Sequence, residues 1–144
     1  MKKICLVCLT LVFGLFLTGC ETTKTLECST IQTQEGMDIN QKVVAIFEKN
    51  MVTKMSLAMD IKVNKEYVPY IDSMKKSLED QYATYKKEGV TIDITNTDDT
   101  IKAILDFNIF EMSEEDKEEL DLVDIYGTAE ATKQTFIEQG YTCK

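Results

Sequence analysis

Between Met51 and Val63 apolar and polar side chains alternate: Met51, Met55, Leu57, Met59, Ile61 and Val63 fall on one face, and Lys54, Ser56, Asp60 and Lys62 on the other. A period of two describes a strand with one buried side. At Asn64 the period changes. From Tyr67 to Lys87 the residues Tyr67, Ile71, Met74, Leu78, Tyr82 and Tyr85 recur at spacings of three and four, which draws one apolar stripe along a helix. The alternation then returns, first at Val90, Ile92 and Ile94, next at Ile101, Ala103, Leu105, Phe107 and Ile109. Such a chain must lay one face of a sheet against one face of a helix.

The remaining segments fit that frame. Thr25 to Thr33 reads as a first strand with apolar positions at Leu26, Cys28 and Ile31, and Glu35-Gly36-Met37-Asp38 as a turn. Lys42 to Phe47 is a strand joined to the next by Glu48-Lys49-Asn50, where Asn50 tolerates a positive φ. Pro69 belongs in the first turn of the long helix, which places its start close to Val68, and Gly89 suits the left-handed position beyond its end. Asn96-Thr97-Asp98-Asp99 is a turn. Ser113, with Asp116 three residues on, caps a short helical turn. Leu120 to Tyr126 is apolar enough to dock on the core as an irregular or short extended piece. A final helix opens at Gly127-Thr128, faces Ala131, Thr132, Thr135 and Phe136 inward, and ends at Gly140, after which Tyr141 to Lys144 carries Cys143 back towards the first strand. The expected fold is α+β: an antiparallel sheet of hairpin strands packed against one long helix and a C-terminal helix. No internal repeat, low-complexity segment or interdomain linker interrupts it.

The N-terminus has a different character. Lys2 and Lys3 precede an uncharged apolar run from Ile4 to Leu17, closed by Thr18 and Gly19 before Cys20. This is the pattern of a secretory signal, and the run is shorter than the ~18 to 20 residues that span a bilayer. Leu17-Thr18-Gly19-Cys20 resembles the lipobox of bacterial lipoproteins. That resemblance implies cleavage before Cys20, a lipid on the Cys20 sulfur, and a protein held on the extracytoplasmic face of the cell membrane. The expected organisation is residues 1–19 as signal peptide, 20–24 as a short tether, and 25–144 as a single domain. Four residues, Glu21 to Lys24, reach about 14 Å at most when extended, so the domain sits close to its anchor.

Charge sharpens this. Without the two signal lysines the chain keeps fourteen lysines against twenty-five acids, a formal charge of −11. A domain so acidic, with no basic patch, is not expected to bind nucleic acid, because phosphate binding rests on basic residues that displace counterions. Anionic headgroups should repel it too, so the tether holds it while its surface keeps it off the bilayer. There is no histidine, no arginine and no tryptophan. The first absence removes histidine acid–base chemistry, Ser/His/Asp and Cys/His nucleophile systems and the commonest zinc ligand, and the second removes bidentate anion clamps. No enzyme, no resident metal and no cofactor is expected.

Of five cysteines, Cys5 and Cys8 lie in the signal and Cys20 is committed to lipid, which leaves Cys28 and Cys143. In an oxidising compartment such a pair reads as one disulfide, stabilising by roughly 3 to 5 kcal/mol by closing nearly the whole domain. The alternative is two separately buried thiols.

Four other groups of side chains bear on chemistry. Glu111, Glu114, Glu115, Asp116, Glu118, Glu119, Asp121 and Asp124 offer the hard oxygens that calcium or magnesium prefers, but not at EF-hand spacing, and consecutive acids on a short helix ordinarily face water. Asp93, Asn96, Asp98 and Asp99 have a simpler reading as hairpin-turn residues. Tyr67, Tyr70, Tyr82, Tyr85, Tyr126 and Tyr141 could line an aromatic groove, although the stripe assigns Tyr67, Tyr82 and Tyr85 to packing and leaves Tyr70 the most exposed. Met51, Met55, Met59 and Met74 read as core.

Several short stretches, Met51-Val52-Thr53-Lys54, Lys87-Glu88-Gly89-Val90-Thr91, Asp98-Asp99-Thr100-Ile101 and Gly140-Tyr141, together with the tyrosine-bearing helix and the lipobox, resemble the small YehR-like lipoproteins over most of residues 25–142. Cys28 and Cys143 lie outside that family's pattern. The resemblance implies an architecture and no functional residues. The expected role is a lipid-anchored envelope module that binds a protein or peptide partner. The alternatives are a carrier of a small ligand or peptide on the concave side of the sheet, a metal-dependent or carboxylate-based hydrolase, and a purely structural envelope protein, which an exposed sheet face with no pocket would support.

Overall fold

The computed structural model describes residues 23–120 and 127–144. The signal segment, Cys20 and most of the Leu120–Tyr126 piece lie outside the described residues. Three strands come first: β1 (Lys24–Gln34), β2 (Met37–Glu48) and β3 (Met51–Val63). Helix α1 (Ile71–Tyr82) follows, flanked by 3-10 turns at Val68–Tyr70 and Ala83–Tyr85. Then come β4 (Val90–Asn96), β5 (Thr100–Asn108), α2 (Glu114–Glu119), α3 (Ala129–Glu138) and β6 (Thr142–Cys143). One six-stranded sheet runs in the order β4-β5-β3-β2-β1-β6, with every neighbouring pair antiparallel. The fold is α+β, with the helices on one side of the sheet.

Alternation decides which side is buried. Ile101, Ala103, Leu105 and Phe107 of β5 are all at most 4% exposed, and Val43, Ala45 and Phe47 of β2 lie beside β3 residues on the same face. Ile71, Met74, Leu78 and Tyr82 of α1 pack over that face, along the stripe read from the sequence. The two tight hairpins have positive φ at both loop positions, Glu35 (29°) with Gly36 (85°) and Lys49 (52°) with Asn50 (64°). This handedness matches the twist of the flanking strands, so β2 extends back to Met37 rather than starting near Lys42.

Three expectations are corrected, and one apolar strand residue falls outside the core. Met51 does not share the buried face: Ile46 pairs with Lys54 and Phe47 with Val52, so Thr53 is an extra residue, the phase flips, and Met51 is 43% exposed. Thr53 itself is buried at the bulge, donating its hydroxyl to Ile46 O at 3.3 Å while its carbonyl accepts from Ile109 N at 3.0 Å. Ile31 points away from Leu26 and Cys28 and is 71% exposed, because it sits an odd number of residues from both along one regular strand. Gly89 does not cap α1, which ends several residues earlier. It opens β4 with φ +78°, and a Cβ there would stand 2.7 Å from Asn108 O. In α3, Ala131 and Thr135 are exposed, whereas Ala129 and Phe136 touch the core with Thr132 and Lys133 between them.

Candidate functional site

Among the described residues no element covers the second face of the sheet. Its side chains lie in rows set by strand register. One row reads Thr25, Ile46, Lys54, Asn108; the next reads Glu27, Val44, Ser56, Asp106, Thr91. Both rows are at the end of the sheet where β1 begins, since Lys24 pairs with Phe47. A groove of about 450 Å³ opens across them, with Val44 and Ile46 as apolar lining and Lys54, Ser56, Thr91, Asp106, Asn108 and Glu111 as polar lining. That volume lies within the range of small-ligand sites.

Partnering varies along this face. Elsewhere Lys42 reaches Glu27 at 2.8 Å, a hydrogen bond and charge that hold the Glu27 carboxyl below its ordinary range. Among the described residues the side chains of Lys54, Asp106 and Glu111 form no ion pair or hydrogen bond. Asn108 Oδ1 is buried and likewise lacks a partner. An unsatisfied buried oxygen of this kind costs about 1 to 3 kcal/mol until something donates to it. The arrangement offers three acceptors and one cation beside an apolar floor.

The acidic cluster is organised differently. Ser113 caps α2, accepting from Asp116 N at 3.1 Å and donating to Asp116 Oδ2 at 2.7 Å. Lys87 reaches Glu119 at 2.7 Å and Asp116 at 3.3 Å, and Lys117 reaches Glu114 at 2.6 Å. The hydrogen bond from Ser113, then that from Lys87, lowers the Asp116 pKa against the opposing effect of desolvation; Glu119 and Asp116 raise that of Lys87. These acids hold α2 against the start of β4. Among the described residues no three His, Cys, Asp or Glu side chains come together as metal ligands, while Asp121 and Asp124 lie outside the described residues.

The tyrosines divide as the stripe divides them. Tyr67, Tyr82 and Tyr85 are half-buried in packing, with Tyr82 and Tyr85 edge-to-face at 5.8 Å, and Tyr70 is 62% exposed. Burial, then Tyr85, pushes the Tyr82 phenol up. Tyr141 packs edge-to-face on Phe136 and donates to Gln41 Oε1 at 2.7 Å, beside a crevice of only about 140 Å³. Tyr126 lies outside the described residues. Met55 is buried and Met59 and Met74 are half-buried, so the methionines are core apart from Met51. Cys28 and Cys143 are directly opposed in β1 and β6 and joined by a disulfide. No helix among the described residues is long and apolar enough to cross a membrane.

The sequence placed Lys54, Asp106 and Asn108 on the polar faces of their strands without bringing them together. The usable signal was register, which sets Lys54 opposite Asn108 and Ser56 opposite Asp106.

Fold and groove together define an α+β domain with one packed sheet face and one open, partly apolar face. Two solved structures share that fold. The NMR structure of the E. coli YehR protein matches with a TM-score of 0.62 at 15% identity, over 87% of this chain and 93% of that one. The NMR structure of a protein from Streptococcus pneumoniae TIGR4 matches with a TM-score of 0.59 at 12% identity, over 88% of each chain. At these identities the likeness establishes fold and nothing of activity. No family model matches the chain, and no curated protein matches it in sequence.

Proposed function

We propose that this is an exported, YehR-like lipoprotein, anchored through Cys20 on the extracytoplasmic side of the cell membrane, whose open sheet face binds an envelope ligand or peptide without catalysing its conversion. The observation that carries the binding role is the groove itself: about 450 Å³ of space on the uncovered face, where apolar Val44 and Ile46 adjoin Lys54, Ser56, Asp106 and Glu111. The lipobox and the Cys28–Cys143 disulfide support the compartment, since such bonds persist where thiols are oxidised. Lys24 enters β1 at the groove's end of the sheet, only four residues after Cys20, so a ligand there is held near the bilayer.

Replacing Cys20 with Ser tests the anchor. The variant should leave the membrane fraction, and a variant that sediments with membranes as the parent does contradicts it.

A further inference from the structure

The end of the sheet at which β1 begins is tied to Cys20 by a stretch that reaches about 14 Å at most. Strand register ranks what else stands at that end. Thr25, Ile46, Lys54 and Asn108 form one row; counting outward, Lys24 and Phe47 form the next, and the pair Glu48 and Met51 lies beyond both. The tip of the β2–β3 hairpin therefore projects roughly 7 Å past Lys24. The turn after β5 stands beside it: Ile109 N donates to Thr53 O at 3.0 Å and Glu111 N to Asn108 O at 3.1 Å, which sets Phe110 at the level of Met51. Met51 is 43% exposed and Phe110 67%. Ile31 and Tyr70 are exposed as well, but far from this end. Ile31 lies about 23 Å along β1 from Lys24, and Tyr70 adjoins Ile71, which packs with Val63 about 40 Å along β3 from Met51.

We propose that this end is a membrane-contact surface: Met51 and Phe110 lie in the headgroup layer of the bilayer that holds Cys20, and the sheet stands on that end with its β1–β2 hairpin pointing away. The inference rests on the Cys20 anchor. Given the anchor, the occupant follows from distance, because the tether keeps the bilayer surface beside the hairpin tip at all times. The headgroup layer is only about 5 to 7 Å deep, so a tip that projects past Lys24 crosses much of it. A thioether and a phenyl ring both gain by leaving water there. Charge at the tip is mixed, with Lys49 and Lys54 near Glu48 and Glu111. The acids of α2 lie on the flank, where lysines engage Glu114, Asp116 and Glu119. The domain as a whole, at a formal charge of −11 outside the signal segment, is repelled by anionic headgroups, but salt screens that field over about 8 Å. The body of the domain thus stands off while this end touches.

The chain has no tryptophan, so a single introduced one reports alone. Phe110→Trp, Met51→Trp and, as a control at the far end, Tyr70→Trp are made in the full lipidated chain and reconstituted in zwitterionic vesicles that contain brominated lipid. All three positions are exposed, so each substitution leaves the core intact. Phe110→Trp and Met51→Trp should emit at shorter wavelength and lose intensity to the bromines, more to those near the headgroup end of the acyl chains than to those near the methyl end. Tyr70→Trp should keep its emission. Quenching at positions 51 and 110 no greater than at position 70, in protein that floats with the vesicles, overturns the contact and leaves the anchor standing. A blue shift seen in native membranes but absent in vesicles of lipid alone assigns this end to a protein partner and likewise overturns it. A chain that does not float with the vesicles contradicts the anchor, and the contact falls with it.

Discussion

Cys28 and Cys143, 115 residues apart in sequence, stand directly opposite each other across β1 and β6 with Cα atoms 4.0 Å apart. The two-residue β6 is held by little else: Thr142 pairs with Ser29, and Lys144 N donates to Glu27 O at 2.8 Å. The disulfide therefore fixes the last strand to the first and closes α3 over the core.

Its removal should cost more than any surface change. Closing a loop of this length restricts the unfolded chain by roughly 3 to 5 kcal/mol in the chain-entropy model. Paired Cys28→Ala and Cys143→Ala substitutions should lower the denaturation midpoint accordingly, measured by circular dichroism in urea. An unchanged midpoint would mean that β6 and α3 are held without the bond.

Gly89 should resist substitution. Its φ of +78° strains any other residue, and a Cβ would meet Asn108 O at 2.7 Å, where the partner is backbone and cannot swing aside. Gly89→Ala should destabilise by about 1 to 3 kcal/mol. Because the same backbone contact lines the groove, the substitution should also disturb the Asn108 amide resonance. Phe107, buried between β3 and β4, should cost about 3 to 5 kcal/mol as Phe107→Ala.

Acid stability should report the α2 cap. The Asp116 carboxyl titrates below its ordinary value, chiefly through Ser113. A depressed carboxyl contributes stability above its unfolded pKa and loses it as pH falls through the folded one. Ser113→Ala should therefore shift the acid transition to higher pH and, by loss of the cap, cost about 1 kcal/mol near neutrality. The acid arm of a thermal-melting series against pH measures both effects.

Much of this fold was legible in the sequence because its signals are local. The alternation in β3 and β5 and the stripe of α1 each follow from a period that one segment sets by itself. Met51 departs from the alternation because a bulge at Thr53 changes phase, and a bulge depends on the partner strand: β2 supplies the Phe47–Val52 pairing that forces it. The inward residues of α3 differ from the expected set for a similar reason. A weakly amphipathic helix takes its rotation from what it docks on, here β1 and the Phe136–Tyr141 contact. The groove was illegible for the strongest version of the same reason, since Lys54, Asp106 and Asn108 come together only through the pairing of β3 with β5.

Calcium discriminates the remaining alternative. Asp116, Glu114 and Glu119 are engaged by lysines, so about 1 mM calcium should leave the melting temperature unchanged. A clear upward shift would restore a metal site to the acidic segment.

The central claim is that one acylated sulfur holds this domain at the membrane, and intact mass spectrometry of the protein isolated from its own cell membranes tests it most directly. The account predicts a chain that begins at Cys20 and carries fatty acyl groups there. A chain that keeps residues 1–19, or one without an acyl group, contradicts it.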